Sequence, residues 1–110
     1  TATNAAITEL MNFLPTHPNG IVRYHASDIV LHVDTDAAYL VLSNAKSRIT
    51  CNFYLSSHPS QSSPPPLNGA ILVQCSTLKN VVGSAAESEC GGCYHNATIA
   101  VPIRVALEEL

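Results

Sequence analysis

The sequence predicts an α/β domain in which a mixed sheet, its first strands antiparallel, is covered by helices. Three observations carry that prediction. Ile7, Leu10, Met11 and Leu14 recur at helical spacing near the start. Segments between residues 21 and 78 are either apolar throughout or alternate in polarity with period two. Ser84-Ala85-Ala86-Glu87 then fits a capping box and opens a helical region. Because the strands follow one another and can pair through short turns, the order points to antiparallel pairing rather than a pure βαβ array.

Taken in order, the first helix is expected from Ala2 to Leu14, with Pro15 and Pro18-Asn19-Gly20 stopping it. GIVRYHAS reads as a short edge strand. DIVLHVD, apolar on both faces, reads as a longer central strand that ends in the carboxylates Asp34 and Asp36. In SRITCNFYL, Ile49, Cys51, Phe53 and Leu55 alternate with Arg48, Thr50, Asn52 and Tyr54, as a strand with unequal faces requires. SSHPSQSSPPPLNG is too rich in proline for a ladder and reads as a loop, after which AILVQCST resumes as a strand. The capped helix begins near Ala85. VPIRVALEEL reads as a separate last helix, with Pro102 in its first turn and Ile103, Leu107 and Leu110 on one face.

The chain has 110 residues, which suits one domain: residues 1–20 as helix and turn, 21–78 as strands, 84–110 as helices. Hydrophobic residues make up 46% and charged residues 12%, the balance of a packed domain rather than a disordered one. A net charge of -3 argues against holding nucleic acid by bulk electrostatics. No apolar run approaches the roughly 18 residues of a membrane span. The start TATNAAITEL lacks a signal peptide's charged and apolar regions, so an intracellular address is expected. Without a secretory signal, Cys51, Cys75, Cys90 and Cys93 are expected to be free thiols.

On a regular strand Asp34 and Asp36 share a face, either as solvated strand-end groups or with one of them functional. With Ala85, Ala86, Cys90, Cys93 and Ala97 as the packed stripe of the capped helix, Glu89 falls at its edge, either reaching solvent or meeting a partner. A strand Asp beside a helix Glu is an oxygen-rich pair of the kind Mg²⁺ or Mn²⁺ prefers.

The segments RYHASDIVLHVDTDAAYLVLSNAKSR, LNGAIL, KNVVGSAAESECGGCYHNA and AVPIRVALEEL together resemble the ribonuclease H region of copia-type LTR retrotransposon polyproteins. In that family a strand carries D-A-S/D, a helix opens with S-x-x-E-A-E, and an amphipathic helix precedes the first strand. The resemblance implies a ribonuclease H-like sheet and puts Asp36 in the place of the first catalytic Asp and Glu89 in that of the catalytic Glu. Asp34 matches no catalytic position. It further implies hydrolysis of the RNA strand of an RNA–DNA hybrid by two divalent ions, Mg²⁺ or Mn²⁺, held by carboxylates. The rest of the retroelement polyprotein would be a partner, and the cytoplasm or a virus-like particle the location.

This chain departs from the family pattern in three ways. The family completes its site with acidic residues beyond the ALEEL helix, whereas the sequence stops at Leu110, so the domain is expected to be C-terminally truncated and Asp36 and Glu89 to form an incomplete site. Thr50 and Cys51 stand where glycines usually follow. A basic, aromatic substrate handle is absent, leaving Lys46, Arg48 and Lys79 as phosphate contacts. The alternative is therefore a non-catalytic remnant or interaction module of the same fold. The sheet edge left open by truncation would offer a surface for a homodimer.

Other constellations compete less well. Cys90-Gly91-Gly92-Cys93 is a C-x-x-C, yet the capping box places it inside the helix rather than at the N-terminus a redox pair would use. Zinc on Cys90, Cys93 and His95 would need Cys51, Cys75 or His58 as well, and no second close pair exists. Gly91 and Gly92 are expected to let the helix approach the sheet closely. His32 shares a face with Asp34, as its partner or as a hydrogen-bonded strand histidine.

Overall fold

A computed structural model describes residues 2–60 and 62–110; Thr1 and Gln61 lie outside the described residues. The elements are α1 (Ala2–Thr16), β1 (Val30–Leu42), β2 (Lys46–Ser56), β3 (Ala70–Thr77) and α2 (Ala85–Glu108). The strands form one antiparallel sheet in the order β1-β2-β3. The chain is thus mixed α and β, with antiparallel first strands as the sequence predicts.

The central strand is β2, not the apolar DIVLHVD segment. Its residues Ser47, Ile49, Cys51, Phe53, Tyr54 and Ser56 are all buried. Ile49, Cys51 and Phe53 point toward α2, and with Leu78 they form most of the apolar core. The polarity alternation in SRITCNFYL therefore reports a real difference between faces. β1 lies at a sheet edge and runs well past Asp36, so the carboxylates sit mid-strand rather than at its end. DAAYLVL continues the ladder because its apolar and aromatic residues favour extended backbone. The reversal comes only at Ser43, Asn44 and Ala45, where Asn44 and Ala45 take φ of 63° and 53°. Pairing is irregular between Ala38 and Leu42; Leu40 there has φ 53°, and its N–H donates to Ser47 Oγ at 3.1 Å.

The capping box forms. Ser84 Oγ accepts from the Glu87 N–H at 3.1 Å, and Glu87 Oε2 accepts from the Gly83 N–H at 2.7 Å, one residue before the N-cap. The two C-terminal helices expected from sequence are one: α2 passes through Pro102 without a break. A proline there removes only the N–H that would reach the Thr98 carbonyl, and Ile99, Ile103 and Leu107, all half-buried, hold the helix on both sides of it. α2 packs on β1 and β2 and does not reach β3. Helical cover is thus limited to one side, because α1 packs on no other element and buries none of its residues.

GIVRYHAS is not a strand. Its extended backbone finds side-chain partners instead of a ladder. Asn68 Nδ2 donates to the carbonyls of His25 (3.0 Å) and Leu55 (2.7 Å), while Asn68 Oδ1 accepts from the N–H groups of His25 and Gly69, both at 2.9 Å. Tyr24 Oη donates to the Ala70 carbonyl at 2.9 Å. Asn68→Ala leaves several backbone groups without partners, so it is expected to destabilise by about 1–3 kcal/mol. Hydrogen exchange should show the loss concentrated at residues 24–27 and 55; uniform protection in the variant would refute the clasp.

Candidate functional site

Antiparallel register fixes where the β1 carboxylates point. Thr35 pairs with Cys51 and Ala37 with Ile49, while Asp34 pairs with Asn52 and Asp36 with Thr50. Thr35 and Ala37 face α2: Thr35 Oγ1 lies 3.3 Å from Cys93 Sγ, and a Cβ on Gly92 would lie 3.8 Å from Ala37 Cβ. By alternation Asp34 and Asp36 project from the opposite face. Both are exposed, and with Thr50, Asn52 and Val73 they line a shallow depression.

Glu89 is exposed on α2. The helix buries Ser88, Gly92 and Asn96 instead of the expected Ala85, Ala86, Cys90, Cys93 and Ala97, all of which are exposed. Gly92 rides over Ile49, and Asn96 Nδ2 donates to the Thr50 carbonyl at 3.1 Å. The structure therefore puts Asp36 on β1 and Glu89 on α2, the two elements the sequence assigns, but does not bring their carboxylates together. With the sheet between them, these residues do not fit a shared pair of divalent ions. Among the described residues no group of three or more His, Cys, Asp or Glu side chains could hold a metal.

Asp34 acts electrostatically on its neighbours. Burial, then the Asp34 charge and a hydrogen bond to it, push the Tyr54 phenol above its ordinary range. His32 stacks on Tyr54 with centroids 5.3 Å apart, and its Nε2 lies 3.0 Å from the Ser57 carbonyl, which makes it a hydrogen-bonded strand histidine.

All four cysteines are free, but only Cys51 is buried. Burial first, and the Asp34 charge second, push its thiol up. Less thiolate and less access both slow alkylation. Iodoacetamide at pH 8 should therefore modify Cys75, Cys90 and Cys93 well before Cys51 on a mass-mapped time course, with equal rates refuting the burial.

Two polar residues that hold this region together were not singled out from sequence. For Asn96, the spacing of four from Gly92 and eight from Ser88 is the signal that places it on the packed stripe. Asn68 read only as part of the SSHPSQSSPPPLNG loop. Comparison of the chain with protein-family models, with curated proteins and with solved structures gives no match.

Proposed function

We propose that this chain is a ribonuclease H-like module of a retroelement polyprotein that does not itself cleave nucleic acid and acts as a folded interaction unit. The support is one juxtaposition. An antiparallel β1-β2-β3 sheet is crossed by a capped helix that returns over β1 and β2, with D-A-A on the first strand and S-x-x-E-S-E opening the helix. The elements and motifs stand in the order the resemblance requires, while Asp36 and Glu89 point to opposite sides of the sheet.

A second reading is the nuclease itself, which rests on the D-A-A and S-x-x-E-S-E motifs of the resemblance and requires the whole β1-β2 pairing to slip by one residue, turning Asp36 toward α2. The chain would then use Asp36 and Glu89 as metal ligands for hydrolysis of an RNA–DNA hybrid with Mg²⁺ or Mn²⁺.

One labelled RNA–DNA hybrid separates the two. With about 5 mM Mg²⁺ or Mn²⁺, ample for a two-metal site, the chain is expected to give no cleavage above background, and Asp36→Asn and Glu89→Gln to change nothing. Cleavage that either substitution abolishes would establish the nuclease. EDTA should leave the melting temperature within about 1 °C, since an ion that does not bind the native state cannot stabilise it.

A further inference from the structure

The chain exposes more surface than a domain of 110 residues keeps open. Its accessible area is 8096 Å², where a folded monomer of this mass leaves about 5,900 Å², and its radius of gyration is 17.1 Å against about 13 Å. The surplus, about 2,200 Å², exceeds the roughly 800 Å² that each partner gives to a standard interface. Two elements contribute to it: α1, which buries none of its residues, and β3, where Ile71, Leu72 and Val73 are 43%, 38% and 70% exposed. Only β3 also has backbone groups left to pair, because those of a helix bond within it.

The register shows which groups these are. The Leu78 N–H donates inward to the Ser47 carbonyl at 2.9 Å. Backbone groups alternate sides along an antiparallel strand, and pairing is regular from Leu72 to Thr77, so Leu72, Gln74 and Ser76 also bond β2. Val73, Cys75 and Thr77 therefore turn both N–H and C=O away from the sheet. Among the described residues no other segment bonds them. The clasp of Tyr24 on the Ala70 carbonyl limits this free stretch at its start.

Charge points to a second copy as the occupant. The chain carries a net charge of -3, yet Ala70–Thr77 holds no charged residue. Edges that must stay single are blunted by lysine, proline or a bulge, and Leu72 to Thr77 has none of these. β1, the other edge, carries Asp34 and Asp36 and pairs irregularly between Ala38 and Leu42, so two copies meeting there would set carboxylates against each other. We propose that β3 pairs antiparallel with β3 of a second copy about a twofold axis at Cys75, joining two three-stranded sheets into one. In this register Cys75 opposes its own copy and Val73 opposes Thr77, so all three free residues find backbone partners. α2 does not reach β3, so the two helices, both on one face, clear each other. The dimer names a partner for the interaction unit proposed above, but it uses neither Asp36 nor Glu89 and stands whether or not the chain cleaves nucleic acid.

Sedimentation equilibrium of the reduced chain from about 5 to 500 µM, a range that covers weak to firm association, is expected to show a monomer–dimer equilibrium. Hydrogen exchange over the same range should slow at the N–H groups of Val73, Cys75 and Thr77 as the dimer fills. Cys75 is exposed, so its substitution acts on the pairing rather than the core. Cys75→Lys sets two ammonium groups face to face and should weaken association about fivefold or more. Cys75→Pro removes an N–H that β2 does not use, which an edge strand tolerates, and should also weaken it. Cys75→Ser should associate as the wild type does; if the proline variant fails to fold, the lysine variant carries the test. A monomer at every concentration would overturn the proposal and leave the cleavage assay to decide the nuclease on its own. So would a dimer in which Val73, Cys75 and Thr77 exchange fast, or one that Cys75→Lys leaves unweakened.

Discussion

Phe53→Ala is expected to remove most of the chain's folding stability. Phe53 is fully buried, at 0% exposure, on the central strand between its register partners Val33 on β1 and Leu72 on β3. Truncating a phenylalanine in such a position costs about 3–5 kcal/mol. Small domains have only about 5–15 kcal/mol in all. The lower part of that range applies here, because the buried apolar residues are few: Ile49, Cys51, Phe53, Tyr54 and Leu78. Urea titration followed by circular dichroism measures the effect, and Phe53→Leu, which keeps much of the volume, should retain a cooperative transition with a loss below about 1.5 kcal/mol. An alanine variant with a wild-type midpoint would mean that β2 presents its other face to the helix.

The same register shows what the sequence could and could not reveal. The alternation in SRITCNFYL identified the buried face of β2 because a strand with one helix-covered face must separate Ile49, Cys51 and Phe53 from Arg48, Thr50 and Asn52. The start of α2 was equally legible, since Ser84 and Glu87 act through local bonds that need no tertiary partner. Strand order was not. An apolar run such as DIVLHV has the pattern of a central strand, and only the pairing partners put β1 at an edge. GIVRYHAS has strand-forming residues too, yet Asn68, 43 positions away from His25, takes up its backbone groups, and nothing local signals so distant a partner.

The packed face of α2 was misjudged for a different reason. Hydrophobicity selects alanines and cysteines, whereas close helix–sheet packing selects a missing Cβ at Gly92 and an amide at Asn96 that can reach the Thr50 carbonyl. The candidate site inherits both difficulties. Motif order put Asp36 on β1 and Glu89 on α2, and a face assignment for each was still required. One residue of strand phase separates a shared carboxylate site from two solvated carboxylates.

Gly92→Leu should detach α2 from the sheet and lower the melting temperature by more than about 10 °C, an effect of several kcal/mol for a domain of this size. Even a single methyl at this position is crowded: its Cβ would lie 3.2 Å from Ile49 Cγ2, 3.7 Å from Ile49 Cβ and 3.8 Å from Ala37 Cβ. Ile49 is 2% exposed and β-branched, so it has neither space nor an easy alternative rotamer to withdraw into. A leucine adds three more carbons to that contact, and relieving it moves the helix away from the Asn96–Thr50 bond as well. Gly91 gives the contrasting outcome. A Cβ there meets the methyl ends of Leu78 at 3.2 Å, atoms that yield by rotation, while alanine gains up to about 1 kcal/mol of helix propensity over glycine. Gly91→Ala should therefore be neutral or slightly stabilising. Thermal melts of the two variants side by side decide the matter, because only the packing of Gly92 on Ile49 makes adjacent glycines respond with opposite signs; equal losses at both would show that crowding at Leu78 as much as at Ile49, and not the Gly92 contact alone, governs the docking of α2.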